Sequence, residues 1–351
     1  PIRHIVDGDW LRAENTTLGA DNGIAIALAL ALVEDQSAIH PPLELLLTAD
    51  EETGLNGAML LEPGFIEGKI LLNIDSETEG VFTVGCAGGR NTYVTRKLSF
   101  TDIAKDHLFF RLAIGGLHGG HSGIDIHRQR ANANKILARI LQSMAAKCSI
   151  RLISLKGGTA HNAIPRDAAA VLAFEPTNSG ELKSLVSEFE HIFQTEYETL
   201  DPALAVSFAP VDPEPGANKA LSAQETRAVT DLLLTLPHGV MGMSEDFEGL
   251  VETSNNLASV EIKDDNLQIT TSQRSSVLSK MDEVTATINA CAALAGADTH
   301  CDTEFAPWTP NMKSALLERC KRVFRQITGE DAKVESIHAG LECAVIGDKY
   351  P

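Results

Sequence analysis

Two short runs, LELLLTA at 43–49 and KILLNID at 69–75, carry consecutive apolar residues (LLL at 45–47, ILL at 70–72) rather than alternating ones. A strand with one wet face alternates. A strand apolar on both faces belongs in a sheet covered on both sides, which means a parallel sheet between helices. Neighbouring segments supply those helices. The alanine- and leucine-rich stretch from about 22 to 34 is broken by HPP, and LNGAMLLEPGF reads as a brief second helix. Residues 1–85 therefore read as an α/β unit.

Both runs end in acid. TADEETG (48–54) closes the first with Glu51 and Glu52, Asp75 ends the second, and Asp21 sits in the loop GADNG before a helix. In an open parallel sheet, ligands bind beyond the carboxyl ends of the strands. Loop and strand ends would then bring these groups to one spot, where they cannot all stay ionised without a cation. Taken singly, each is more simply a solvated turn residue. Their joint placement shifts the balance towards a metal: magnesium, calcium or manganese with carboxylates alone, zinc if imidazoles join them.

A net charge of −19 argues against nucleic acid and anionic membrane surfaces as partners. The longest apolar stretch, GIAIALALALV, is too short to span a bilayer and runs straight into Glu34 and Asp35, so it reads as a buried helix. The opening PIRHIVDGDW does not read as a signal peptide. Six cysteines without a C-x-x-C pair suit reduced thiols, and a cytoplasmic location is expected.

From about residue 90 the pattern changes. RNTYVTRKLSF, HLFFRLAIGGL, SIRLISLKG, AAAVLAFEP, NNLASVEIKD and NLQITTSQRSS read as strands, the first two with one wet face. Helices are predicted over NANKILARILQSMAA and SGELKSLVSEFEHIFQTEYETL, and from near Asp282. After APWTP a helix over KSALLERCKRVFRQI resumes, followed by strand, turn and the start of another helix. The expected fold class is α/β: a mostly parallel sheet with helices on both faces, occupying 1–90 and 306–351. An inserted α+β domain spans 91–305.

The ordered set TTLGADNGIA, LLTADEETG, NIDSETEG, GGHSG, NAIPRD and IHAGLEC resembles the bacterial aminoacylhistidine (cytosol nonspecific) dipeptidases, dizinc metallopeptidases related to carnosinase. The resemblance covers essentially the whole chain. It implies a zinc-peptidase-like fold, with the insertion as lid and dimerisation domain, and hydrolysis of unblocked dipeptides, Xaa-His and broader. It implies two Zn2+ ions per subunit, with Co2+ or Mn2+ as substitutes, and a homodimer formed through the lid. Carried onto the matching motifs, the resemblance implies that Asp21 bridges the ions, that Glu52 and Asp75 are metal ligands, and that Glu51 is the general base. It further implies that His121 steadies the oxyanion and that Asn162 and Arg274 bind substrate, Arg274 on its carboxylate; Gly340 in IHAGLEC is expected near the substrate's C-terminal end.

The family completes its zinc site with two histidines, one in an upstream H-x-D motif and one near the C terminus. Neither motif is in this sequence: His4 stands in HIVD, which has the wrong spacing. The chain accordingly reads as cut at both ends. Two other readings compete with the dipeptidase: deacylation of N-acyl amino acids, and a non-catalytic remnant serving as an interaction or dimerisation module. The pair His338 and Cys343 suggests a thiol nucleophile with its base, but a small buried packing residue is the simpler account of the cysteine.

Overall fold

The structure, a computed structural model, describes residues 2–350 except 53, 77 and 213–217, and the side chains of 303 and 304. Thr53 and Glu77, inside two of the motifs, lie outside the described residues.

In chain order the elements begin with β1 (His4–Asp7), β2 (Trp10–Ala13), α1 (Ala20–Glu34), α2 (Asn56–Leu60), β3 (Val81–Cys86), β4 (Gly88–Lys97), β5 (Phe100–Asp102), β6 (Leu108–Gly115) and β7 (Gly120–His121). Next come α3 (Ala133–Lys147), β8 (Ile150–Gly157), β9 (Ala163–Ile164), β10 (Ala168–Phe174), α4 (Ser179–Glu196), β11 (Ala205–Pro210), β12 (Lys219–Leu221), α5 (Ala223–Thr235) and β13 (Gly239–Met243). The chain ends with β14 (Val251–Lys263), β15 (Asn266–Ser275), α6 (Leu278–Leu294), β16 (Asp298–Phe305), α7 (Ala315–Thr328), β17 (Lys333–Ile337) and α8 (Glu342–Lys349). They fall into two compact units. One comprises residues 1–84, 311–335 and 341–351; the other comprises 85–310 and 336–340.

In the first unit β1 and β2 form a hairpin, pairing His4 with Ala13 and Asp7 with Trp10 around Gly8–Asp9. Helix α1 is apolar all round, and Ala25 is its buried residue. Segments 43–49 and 69–75, predicted as parallel strands, run outside any strand ladder. The physical reason is local. An apolar segment becomes a strand only when a neighbour satisfies its backbone, and here Leu47 and Leu72 are each 63% exposed. Helix α7 is capped at both ends, by Ser314 accepting from the Leu317 amide and by Gly329 in the left-handed conformation.

The second unit is built on a nine-stranded sheet in the order β11-β6-β10-β8-β14-β15-β4-β16, with β13 added on β14. Helix α3 shows why its sequence is helical. Asn132 caps it by accepting from the Asn134 and Lys135 amides, and Ile136, Leu137, Ile140, Leu141 and Met144 form one buried stripe. That stripe joins Leu112, Leu152, Leu172, Phe174 and Leu257 from the strands in a single core. Ser222 caps α5 through the Glu225 amide, and Val229, Leu232 and Leu233 bury its apolar side. Helix α6 starts at Leu278, four residues before the predicted start near Asp282. Among the described residues no helix is long and apolar enough to cross a membrane.

Candidate active site

The carboxylates belong to the first unit. Gly19 turns the chain at φ +75°, and Asp21 and Asn22, joined by a cis peptide, keep non-helical backbone before α1 settles into regular geometry. The Asn22 side chain works in two directions: its Oδ1 accepts from the Ala25 amide at 3.3 Å, and its Nδ2 donates to the Ile74 carbonyl at 3.4 Å. This fastens the GADNG loop beside the end of the 69–75 segment. There Asp75 lies within the field of the Asp21 carboxylate.

Asp75 is correspondingly pushed above the ordinary carboxylate range, first by burial, then by the charges of Asp21, Glu342 and Glu52. Glu51 is pushed up in the same sense by burial first, then by Asp75, Glu52, Glu342 and Asp21. Its backbone carbonyl accepts from Leu55 at 2.9 Å, tying the Glu51–Glu52 turn to α2. The predicted residues Asp21, Glu51, Glu52 and Asp75 therefore share one electrostatic neighbourhood.

Glu342 is the member that the sequence reading missed. It opens α8 and is only 8% exposed, a charge at the head of the otherwise small and apolar run ECAVIG. Its helix is docked by its far end. Lys349 Nζ donates to the carbonyls of Ala58, Met59 and Leu61, and the Tyr350 hydroxyl bridges the Glu62 carbonyl and the Phe65 amide. An acidic residue following a glycine turn at the first position of a helix was the available signal.

The donors on this site are carboxylate oxygens, and among the described residues no group of three or more His, Cys, Asp or Glu is arranged as a ready cation cage. The chemistry of the set nonetheless fits a divalent cation. Several negative charges crowd together, and a cation favours the ionised forms of Glu51 and Asp75 that this crowding disfavours.

The remaining predicted residues lie in the second unit. His121 ends β7, which pairs antiparallel with β9 so that His121 faces Ala163. Its Nδ1 accepts from the amides of Gly123 and Ile124, each at 3.2 Å. A backbone N–H can only donate, so Nδ1 carries no proton and the ring's hydrogen sits on Nε2. Burial first, and the positive charge of Arg274 second, hold the imidazole below its ordinary pKa and keep it neutral. The result is a neutral Nε2–H donor.

Asn162 is exposed, and its carbonyl accepts from the Ser122 amide at 2.8 Å. Arg274, 6% exposed on β15, sits opposite Ser254 of β14, with its guanidinium carbon 5.9 Å from the centre of the Phe305 ring. Gly340 packs on the same ring; a Cβ there would come within 2.6 Å of Phe305. Gly123 is equally constrained, since a Cβ would meet the His338 carbonyl at 2.5 Å. His338, 7% exposed, is hydrogen-bonded through Nε2 to Ser254 Oγ at 2.7 Å. Burial, then Arg274, pushes its pKa down to about 3. Cys343 belongs to the first unit and His338 to the second.

Residues 112–201 match the peptidase dimerisation domain of the M20 peptidases. The chain is 37% identical to the cytosol non-specific dipeptidase of Escherichia coli (strain K12) over 351 residues, covering all of this chain and 72% of that protein. Among solved structures, the aminoacylhistidine dipeptidase of Vibrio alginolyticus superposes with a TM-score of 0.91 at 35% identity, over 100% of this chain and 71% of that one. The chain belongs to the family of the cytosol non-specific, or aminoacylhistidine, dipeptidases, metal-dependent peptide-bond hydrolases with an M20 dimerisation domain.

Proposed function

We propose that this chain serves the hydrolysis of unblocked dipeptides, Xaa-His among them, with Glu51 as general base. The observation that carries the reading is the meeting of Asp21, Glu51, Glu52 and Asp75 from three separate sequence motifs. Asp21, Glu52 and Asp75 would hold the metal: zinc, two ions per subunit, with Co2+ or Mn2+ able to replace it. Divalent ions bound there supply Lewis acidity, making water a nucleophile at neutral pH and polarising the scissile carbonyl.

The protein groups do the rest. Glu51, with its pKa raised, accepts a proton from the attacking water and returns it to the leaving amine. His121, neutral with hydrogen on Nε2, donates to the developing oxyanion. Arg274 offers a planar fork for the dipeptide's carboxylate, with Asn162 and Gly340 as further substrate contacts. We also propose residues 91–305 as the lid and dimerisation domain, on the match over 112–201. The protein would act in the cytoplasm as a homodimer, with neither nucleic acid nor membrane as partner.

The test is hydrolysis of a free Xaa-His dipeptide and its N-acetyl counterpart, before and after chelation. Cleavage of the free dipeptide alone, abolished by chelator and restored by Zn2+, is the expected result. Turnover that ignores the chelator, or preference for the acylated compound, contradicts the reading.

A further inference from the structure

Asn256 lies on β14 and is 1% exposed. In the β14–β15 register Asn256 faces Ser272, two positions along from Ser254 facing Arg274, so it shares the sheet face that bears Arg274. Its Nδ2 donates to the His161 carbonyl at 3.2 Å and to the Ala163 carbonyl at 2.8 Å. These are the residues on either side of Asn162. The orientation of the amide is set by its partners, because reversing it would aim Oδ1 at two carbonyl oxygens.

The consequences run along the backbone. Asn162 has an exposed side chain on a segment with little regular structure, so its place depends on the peptide units beneath it. Asn256 grips both of those units. Between them the Asn162 carbonyl accepts from Ser122, the residue after His121, while Ala163 pairs with His121 itself. One buried side chain on a core strand thus secures the loop that presents Asn162 and, through Ser122, the loop that presents His121. Aspartate has the same shape but no donor, and serine lacks the reach.

We propose that Asn256 is a positioning residue for the hydrolysis described above, acting on substrate and oxyanion through Asn162 and His121. This rests on the roles given to those two residues, and the experiment separates the two claims. Asn256→Asp, Asn256→Ser, Asn162→Ala, His121→Ala and the double variant Asn162→Ala/Asn256→Asp are compared in the Zn2+-loaded full chain. The measurements are dipeptide kinetics and amide hydrogen exchange.

Both Asn256 variants should lower kcat/KM by about tenfold or more, while the double variant loses less than the two single losses multiplied, the remainder acting through His121. That non-additivity is the signature of action through Asn162; general destabilisation would add. The Ser122 amide should exchange at least about tenfold faster, with amides of the β4–β15 ladder unchanged. Unaltered Ser122 exchange in both variants, or a fully additive double variant, overturns the inference and leaves the site reading standing. Normal kinetics in both Asn162→Ala and His121→Ala overturns the site reading and the inference with it.

Discussion

Asn22 Nδ2 meets the Ile74 carbonyl at 3.4 Å across 52 positions of sequence, which places Asp21 and Asp75, each the neighbour of one partner, side by side. The GADNG loop is therefore anchored by a residue that is not itself an acid. Replacing Asn22 by alanine should leave the carboxylates in place but loosen their approach. Calorimetric titration with Zn2+ should show an affinity about tenfold weaker, the usual cost of losing a residue that orients metal ligands. Unchanged affinity would mean that the 3.4 Å contact does not organise the site.

Metal binding should in turn depend on acidity. Glu51 and Asp75 are raised above the ordinary carboxylate range, so the folded metal-free protein holds protons there that the unfolded chain has released. Their contribution to stability is present below the unfolded pKa and is lost as pH rises through the folded one. A divalent ion reverses this by replacing the protons. The rise in melting temperature on adding Zn2+ should therefore be larger at pH 7 than at pH 5, as differential scanning calorimetry would measure.

His338 sets a second pH dependence with a definite sign. Its pKa is about 3 in the folded state against an ordinary 6.5, so the unfolded chain binds the extra proton between those values. Stability from this group is complete above pH 6.5 and falls by up to about 1.4 kcal/mol per pH unit on acidification towards 3. Denaturant melts of the parent and of His338→Gln should diverge in slope over that interval. Parallel curves would show that the Ser254–His338 pair does not exclude the charged form.

Arg274→Met should raise KM for dipeptides by about tenfold to a hundredfold with a smaller change in kcat, because a bidentate carboxylate partner is removed. An amidated dipeptide, which lacks the carboxylate, should be nearly indifferent to the substitution. Equal losses on both substrates would assign Arg274 a structural task instead.

Legibility in the sequence divided along physical lines. Helices α3, α4 and α7 carry local signals, apolar stripes at helical spacing, and were readable. Helix α5 was readable as well through its Ser222-x-x-Glu225 box, a signal that the segment reading passed over. The strand prediction for 43–49 and 69–75 met a different obstacle. Apolarity marks a segment as wanting a partner without saying whether one is supplied. The order of the large sheet, in which β8 lies between β10 and β14, depends on contacts remote in sequence that no window of residues records. The acidic motifs named Asp21, Glu51, Glu52 and Asp75 by type and place; Glu342 was marked only by its position after a glycine turn at a helix start, and Asn256 becomes visible only when burial and hydrogen bonds are known.

The proposal that acids from remote motifs form one metallohydrolase centre is tested most directly by Glu51→Gln in the Zn2+-loaded protein, with metal content and dipeptide kcat measured on the same sample. Metal content should match the parent while kcat falls by about a hundredfold to ten-thousandfold, the range expected when a general base is removed. Retained turnover at full metal occupancy would contradict the account.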